Sequence, residues 1–584
     1  MDKFVALGSA LLVMALITLG IKNGAIPISK DPFAIYQQSD SNEKHFKADF
    51  LFENKSNLIG SSVVDLRENF ALYVAVGDID NDGYEDVVMV NHNIKMGNSL
   101  KVLKNIGGKF FEDQTQKVLN LSEVSTTAFS ASVLVDLDND GWPDLYIAQF
   151  MKSHLALKNI KGHFDYKHQI AIDQIIAPTR GINLVDFNKD GFVDFYLTSF
   201  SESVYSSLFD NPHAVSEAPY PIRSLSGSQN ILLLNEYGKK LTKTKDALGL
   251  SDGGYTWAVG IADFKNTGYP DFYIANDFGY DRFYKNIDGK KFVDVSQSAL
   301  GDIRSENAMG VEIADIHNNN RLGIYVSNAS KPGMPRGWNH FWQMNDDVKL
   351  SFSDMSTDLQ IDKCGFSWGA KFADLDKDGH LDLFVVNGRS GQLNEKTQNR
   401  WIYRLYEWNI PPELKYLKYI QVPQVNYHFA QGQRNCVFVQ RDEKFIDISQ
   451  SVGVSDEENG RALAVMDLDN DGQEDFLISN LLFDPILYKG TRFNKNQWLG
   501  LKLVGIRSNR DAIGAKVKMI TEQFTQTRLI FPTNGYQNES SRRVIFGVKE
   551  TDHVKKIQIF WPSGAQQDFY PEELNRYYEI TEKF

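Results

Sequence analysis

The stretch DIDNDGYEDVVMVN, residues 78–91, sets aspartates at the first, third, fifth and ninth places of a short loop and then enters an apolar strand. The pattern recurs as DLDNDGWPDLYIAQ from Asp136, DFNKDGFVDFYLTS from Asp186, DLDKDGHLDLFVVN from Asp374 and DLDNDGQEDFLISN from Asp467. Two worn copies stand between, DFKNTGYPDFYIAN from Asp263 and DIHNNNRLGIYVSN from Asp315, making seven in all. Successive first aspartates are 58, 50, 77, 52, 59 and 93 residues apart. A unit of about 50–60 residues is the size of a four-stranded blade with its loops, and the longer spacings imply insertions.

Each unit has further shared parts. A short apolar strand precedes the loop, as in LYVAVGD and FSWGAKFAD, and a hairpin with Asn or Gly at its turn follows, as in KVLKNIGGKFFED and RFYKNIDGKKFVDVS. Four antiparallel strands per unit result. Such units cannot bury both faces alone and must stack or close, and closure into a ring removes exposed edges. Spacing alone allows a solenoid as well. A ring of blades also accommodates 584 residues, too many for one ordinary core, and the 12% aromatic content suits β-structure.

The loops carry the chemistry. Carboxylates at places one, three and five converge in a tight turn, glycine at place six permits the bend, place seven offers a carbonyl, and the ninth residue closes the site. So many like charges repel unless a cation sits among them. The expected ligand sets are Asp78, Asp80, Asp82, Tyr84 and Asp86; Asp136, Asp138, Asp140, Trp142 and Asp144; Asp186, Asn188, Asp190, Phe192 and Asp194; Asp374, Asp376, Asp378, His380 and Asp382; and Asp467, Asp469, Asp471, Gln473 and Asp475. Calcium fits best, being hard and tolerant of irregular oxygen geometry, so about five Ca2+ sites are expected. An EF-hand needs Glu at place twelve, where these loops have Met89, Ile147, Leu197, Val385 and Ile478. The nineteen loop carboxylates exceed the net charge of −13, so calcium loading would carry the chain towards neutrality. The worn loops are expected to hold no metal, with the Lys265 ammonium in a ligand's place, and the His380 side chain is expected to face solvent.

The seven units resemble FG-GAP/VCBS-type repeats, like those of integrin α-chain propellers. That resemblance implies an all-β fold with a seven-bladed β-propeller. After about Phe493 the pattern changes to short strands such as WLGLKLVG, GAKVKMIT and VKKIQIFW, which predict a small β-sandwich or barrel. Asn496, Trp498, Leu499, Gly505, SNRDAIGA over 508–515, Gly535, Tyr536, Phe546, Gly547 and WPSG over 561–564 look like an ASPIC/UnbV domain. The layout is that of the cartilage acidic protein 1-like family, with FGVK from Phe546 a departure where the family tends to a second glycine. The resemblance implies secretion, calcium binding and a role in adhesion or assembly, and supplies no reaction. The domains expected are therefore 47–493 for the propeller and 494–584 for the C-terminal module. Arg510 and Asp511 within the module are expected to form a buried ion pair.

Residues 4–21 are an uncharged apolar run after Lys3, read either as a signal peptide within 1–25 or as an uncleaved membrane anchor, with 26–46 as a linker. Both readings export the chain to the periplasm, the cell surface or the medium. The diffuse acidic balance argues against a nucleic-acid partner. Cys364 and Cys436, the chain's two cysteines, have no metal-type spacing, and either a disulfide or two buried thiols satisfies them. No P-loop, dinucleotide turn or HExxH is present. The chain therefore reads as a module binding an extracellular or envelope protein or a glycan, without an enzyme's function. The alternative is an exported propeller enzyme with its site on the central channel or top-face loops. Two irregular segments, 201–229 and 388–435, are the candidate recognition insertions, the second rich in Trp, Tyr and Arg.

Overall fold

The computed structural model describes residues 48–583 apart from 60–71, 92–99, 120–128, 150–151, 200–226, 251, 278–279, 302–306, 330–337, 346–348, 389–432, 455–457 and 481–483. The apolar leader and linker of 1–46, and most of both insertions, lie outside the described residues. Among the described residues no helix is long and apolar enough to cross a membrane.

The protein is all-β. Each of the seven repeats falls in its own antiparallel sheet, and the aspartate loop always joins the sheet's first strand to its second. The first strands are Leu72–Gly77, Phe129–Val135, Thr179–Val185, Thr256–Ala262, Ala308–Ala314, Ser367–Ala373 and Gly460–Met466. Each packs against the first strands of the sheets before and after it, and the last packs against the first, so the sheets close into a ring. Burial explains the sequence pattern. Phe129–Val135 and Asp144–Gln149 are buried throughout and read as continuous apolar runs, whereas the outer strand Lys291–Asp294 buries only Phe292.

The ring is closed by strand exchange. The seventh sheet takes three strands from its own repeat and its fourth, Phe50–Asn54, from the other end of the chain. Phe50 stands opposite Arg492 and Asn54 opposite Tyr488. Phe52 seals this joint, its ring edge-on to Phe476 at 5.4 Å and to Phe384 at 5.7 Å. The cysteine question resolves as a disulfide: Cys364, just before the sixth sheet, is bonded to Cys436 at the start of that sheet's third strand.

The C-terminal module is a sandwich of a three-stranded and a four-stranded sheet over one core that includes Leu499, Leu501, Val517, Phe546 and Ile557. Its segment 533–541 enters the ring and bonds to the first strand of every sheet. Thr533 Oγ1 accepts from Leu184 N (3.0 Å), Asn534 Oδ1 from Ile261 N (3.0 Å) and the Gly535 carbonyl from Val311 N (3.5 Å). The Gln537 carbonyl accepts from Val74 N (3.3 Å), Glu539 Oε2 from Leu134 N (2.7 Å) and Ser540 Oγ from Val465 N (3.2 Å), while Lys371 Nζ donates to the Asn534 carbonyl. The inner edges of these strands carry backbone groups that need partners, and the inserted segment supplies them. The channel that the enzyme alternative would use is filled by the protein's own chain.

Candidate metal centres

In four loops the sequence pattern becomes a cluster. Carboxylate oxygens of Asp78, Asp80 and Asp86 lie within 4.8 Å of one another, and so do those of Asp136, Asp138 and Asp144, of Asp374, Asp376 and Asp382, and of Asp467, Asp469 and Asp475. The local fold produces this convergence. The first aspartate turns back to accept from the backbone of the bend, as Asp78 does from Asp82 N and Gly83 N at 3.0 Å. Gly83 takes φ 92°, a left-handed conformation that glycine adopts without strain. The fifth residue accepts from the seventh, as Asp82 Oδ1 does from Tyr84 N at 2.9 Å. It is not part of the three-oxygen group.

The ninth aspartate opens the second strand and is buried. Asp86 Oδ1 accepts from Asn105 N (2.8 Å) and Oδ2 from Ile79 N (3.0 Å), and Asp144, Asp194, Asp382 and Asp475 repeat this pair of bonds. Burial pushes the carboxyls of Asp86 and Asp144 up to about 7, opposed at Asp86 chiefly by the Lys104 ammonium and at Asp144 by backbone donors. Asp374 rises to about 8 through burial and then the charge of Asp378, and Asp382 is pushed well above its usual range. The residues fit a hard divalent cation. The donors are all oxygen, the acids are desolvated, and Asp138 Oδ1 and Asp374 Oδ1 are buried acceptors that take no hydrogen bond among the described residues.

Two features escaped the sequence reading. The hairpin asparagine after the second strand is more than a turn residue. Asn105 Nδ2 reaches the Leu468 carbonyl of the preceding sheet (2.8 Å), and Asn159, Asn235 and Asn286 do the same to Ile79, Leu137 and Phe187. The other is a basic residue beside each cluster. Lys104 bonds Asp80 and Asp86, Lys158 bonds Asp138 and Asp140, Arg441 bonds Asp376, and Lys489 bonds Asp469 and Asp471. Its signal was the repeated Lys-Asn in KVLKN and LALKN.

The third loop differs. With Asn188 in third place, its amide donates to Asp190 Oδ2 at 2.9 Å, and no three-carboxylate group forms there. Neither worn loop forms one among the described residues. Two expectations are corrected. The His380 ring lies 5.2 Å from that of Phe524, because the C-terminal module covers this loop. Asp511 pairs with Arg542 (3.7 Å) and accepts from Asp136 N (2.8 Å), while Arg510 N donates to Asn139 Oδ1 (2.8 Å). Both residues dock the module on the second loop instead of pairing with each other. Other seventh-place side chains pack locally: Phe192 lies edge-on to Tyr237, and Gln473 Nε2 donates to the Leu375 carbonyl.

The module caps the loop face of the ring. Tyr577 OH donates to Asp467 Oδ2 (2.7 Å) and Gly547 N to Asp374 Oδ2 (3.1 Å). Its sequence signature is structural: Glu582 accepts from the backbone of Ile506, Arg507 and Ser508 and from the hydroxyls of Ser508 and Ser563, tying residues 508–515 to the WPSG turn.

Ring, loops and capping module are similar to proteins in which FG-GAP-like repeats are joined to an ASPIC and UnbV domain. The FG-GAP-like repeat model matches residues 78–147 and 136–197, and the ASPIC and UnbV model matches 505–583. The chain is similar to cartilage acidic protein 1 of Xenopus tropicalis, 24% identical over 523 residues that cover 84% of this chain and 70% of the relative. It is also similar to cartilage acidic protein 1 of Homo sapiens, 21% identical over 539 residues covering 87% and 71%. Among solved structures, BBS1N in complex with ARL6DN, soaked with mercury, aligns over 77% of this chain and 98% of that one, with a TM-score of 0.38 and 10% identity.

Proposed function

We propose that this chain is an exported, calcium-binding propeller that acts as a protein- or glycan-binding module in adhesion or assembly, without catalytic activity. The observation that carries the reading is the convergence of three carboxylates in each of four loops, with open acceptor oxygens on Asp138 and Asp374. Asp78, Asp80 and Asp86 and their three counterpart sets would hold the ion, which supplies charge balance to acids that burial otherwise disfavours. The Cys364–Cys436 disulfide supports an oxidising compartment. The partner surface belongs on the face away from the C-terminal module. There the channel mouth is packed by Trp368, Tyr536 and Arg461, all buried, with Trp257 half-buried beside them.

The test is calorimetric titration of chelator-stripped protein with calcium and with magnesium, followed by melting in each state. Binding of about four calcium ions, tighter than magnesium and raising the melting temperature, is expected. Absence of calcium heat with unchanged melting would overturn the metal reading. Pull-down from native extracellular material, with and without chelator, tests the partner face.

A further inference from the structure

A bulge at the same place in six first strands shapes the channel mouth. Strand pairing slips after Phe129, Thr179, Thr256, Ala308, Ser367 and Gly460. The first residue in each slip is the second of its strand: Ser130, Arg180, Trp257, Met309, Trp368 and Arg461. In the remaining first strand, Leu72–Gly77, pairing runs without a shift. A bulge takes its extra residue out of the ladder and re-aims the side chain. Five of the six side chains gather round Tyr536 of the inserted segment. Trp257 and Trp368 lie 5.7 and 5.0 Å from its ring, and Met309 belongs to the same cluster. The Arg461 guanidinium stands 4.2 Å from the Trp368 ring and that of Arg180 5.9 Å from the Trp257 ring.

In a chain of net charge −13 this mouth is positive. Arg461 is 4% exposed, and no carboxylate pairs with it among the described residues. Its Nη1 donates to the Gly460 carbonyl (2.8 Å), and its Nε–Nη2 edge makes no hydrogen bond among the described residues. Tyr536 is 3% exposed, and its hydroxyl is likewise unbonded among them. Burial pushes that hydroxyl up, and the charges of Arg461 and Arg180 pull against it, so both guanidinium groups act on it. Asp277, which opposes them there, accepts from Trp257 Nε1 at 3.1 Å. The next residue of the segment, Gln537, has a buried amide with neither end bonded among the described residues. Buried polar groups nearly always find partners, and a buried cation without an acid is costly. A guanidinium edge, a hydroxyl and an amide left unbonded in one short stretch point to a group that supplies acceptors.

We propose that the channel mouth binds a carboxylate. The proposal rests on reading this face as the partner surface, and it names what the partner presents. The Nε–Nη2 edge of Arg461 matches two coplanar oxygens, and the Tyr536 hydroxyl adds a further donor. Trp368 backs the guanidinium, and half-buried Trp257 offers a ring to whatever carries the acid. Two sources share this chemistry: a small free acid, and an acidic side chain of a protein partner. The bulges explain why the site forms here. Ladder pairing and packing between sheets fix the other positions of the first strands, whereas the bulged position accepts residues as different as Ser130, Arg461 and Trp368.

The probes are two matched pairs, benzoate with benzamide and an end-blocked Gly-Glu-Gly peptide with its Gly-Gln-Gly counterpart, titrated into the full chain by calorimetry. At least tenfold tighter binding of the acid is expected in one pair, and which pair shows it identifies the source. Arg461→Met should abolish that preference without lowering the melting temperature, because an apolar side chain replaces a buried cation that has no acid. Tyr536→Phe removes only an unbonded hydroxyl. It should weaken the acid severalfold and leave both the neutral counterpart and the melting unchanged, and it decides the matter if Arg461→Met folds poorly. Equal binding of acid and neutral forms in both pairs, or full preference for the acid in the variants, overturns the proposal. The pull-down reports separately on the partner face: a partner recovered alongside equal binding in both pairs sinks this proposal and spares that reading.

Discussion

Lys104 Nζ donates to Asp86 Oδ2 at 2.9 Å, placing an ammonium against the same buried oxygens that close the first carboxylate cluster. Lys104 is itself buried, 5% exposed at its side chain, and also bonds Asp80 at 2.6 Å. Lys158, Arg441 and Lys489 stand in the same relation to three further clusters. Each of the four clusters thus has a cation of the protein's own beside it. On the calcium reading proposed above, uptake would be an exchange, in which the divalent ion takes the aspartate oxygens and the basic side chain turns out.

Lys104→Met should separate the two cations. Without calcium the variant leaves Asp86 buried and unpaired, and breaking a buried pair from one side costs about 3–5 kcal/mol. With calcium present the loss should shrink to less than about 1 kcal/mol, because the ion replaces the ammonium. Calcium affinity at this loop should rise. Melting with and without chelator checks the first two points, and calorimetry checks the third.

Stability should depend on pH in opposite senses with and without calcium. Burial raises Asp86, Asp144, Asp186 and Asp467 to about 7, and Asp136 and Asp374 to about 8, from an ordinary value of 3.8. These carboxyls hold their protons more tightly folded than unfolded. Their contribution is full below about pH 4 and is lost as pH rises through 7 to 8. In chelator the melting temperature should therefore fall between pH 5 and pH 8. Calcium needs the ionised acids, so its binding strengthens over the same interval and should flatten or reverse the slope. A thermal-shift series in both buffers reads this directly, and parallel slopes would contradict it.

Much of this was legible because it is local and repeated. The aspartates from Asp78 to Asp86 form a site within nine residues, and the apolar runs on either side are strands wherever they recur. What stayed hidden depends on residues far apart in the chain. Nothing near Phe52 announces that it joins Phe476, and nothing near Glu539 announces that it reaches Leu134. Lys104 and Asn105 were read as hairpin residues because their partners lie in another loop and another sheet. The module's Gly535 and Tyr536 were recognised as signature residues, but their use, filling the channel, is a property of the closed ring.

The ring joint offers a paired comparison within one strand. Phe52 is 4% exposed among the rings of Phe384, Phe476 and Tyr488, whereas its neighbour Leu51 is 38% exposed. Phe52→Ala should cost about 3–5 kcal/mol through the lost burial and the cavity. Leu51→Ala should stay within about 0.5 kcal/mol. Limited proteolysis should then cut the Phe52 variant before the seventh sheet while leaving the Leu51 variant resistant.

Glu539 tests whether the inserted segment holds the ring together. It is fully buried, with Oε2 accepting from Leu134 N at 2.7 Å and Oε1 from Arg542 at 2.6 Å. Burial pushes its carboxyl up to about 8, against the pull of Arg542. Glu539→Gln keeps an oxygen for Leu134 N and gives up the charge, and Arg542 still faces Asp511. Glu539→Ala removes both bonds, leaving the Leu134 N–H without its acceptor and Arg542 with only Asp511 and the Leu134 carbonyl, at a cost of about 3 kcal/mol. The glutamine variant should lose less than half as much. If both lose equally, the charge pair is what matters; if neither loses, the segment merely fills space. Chemical denaturation of the full chain distinguishes the three outcomes. Truncation after residue 493 extends the same logic: it bares the inner edges of all seven first strands, and the shortened propeller should aggregate where the full chain stays monodisperse.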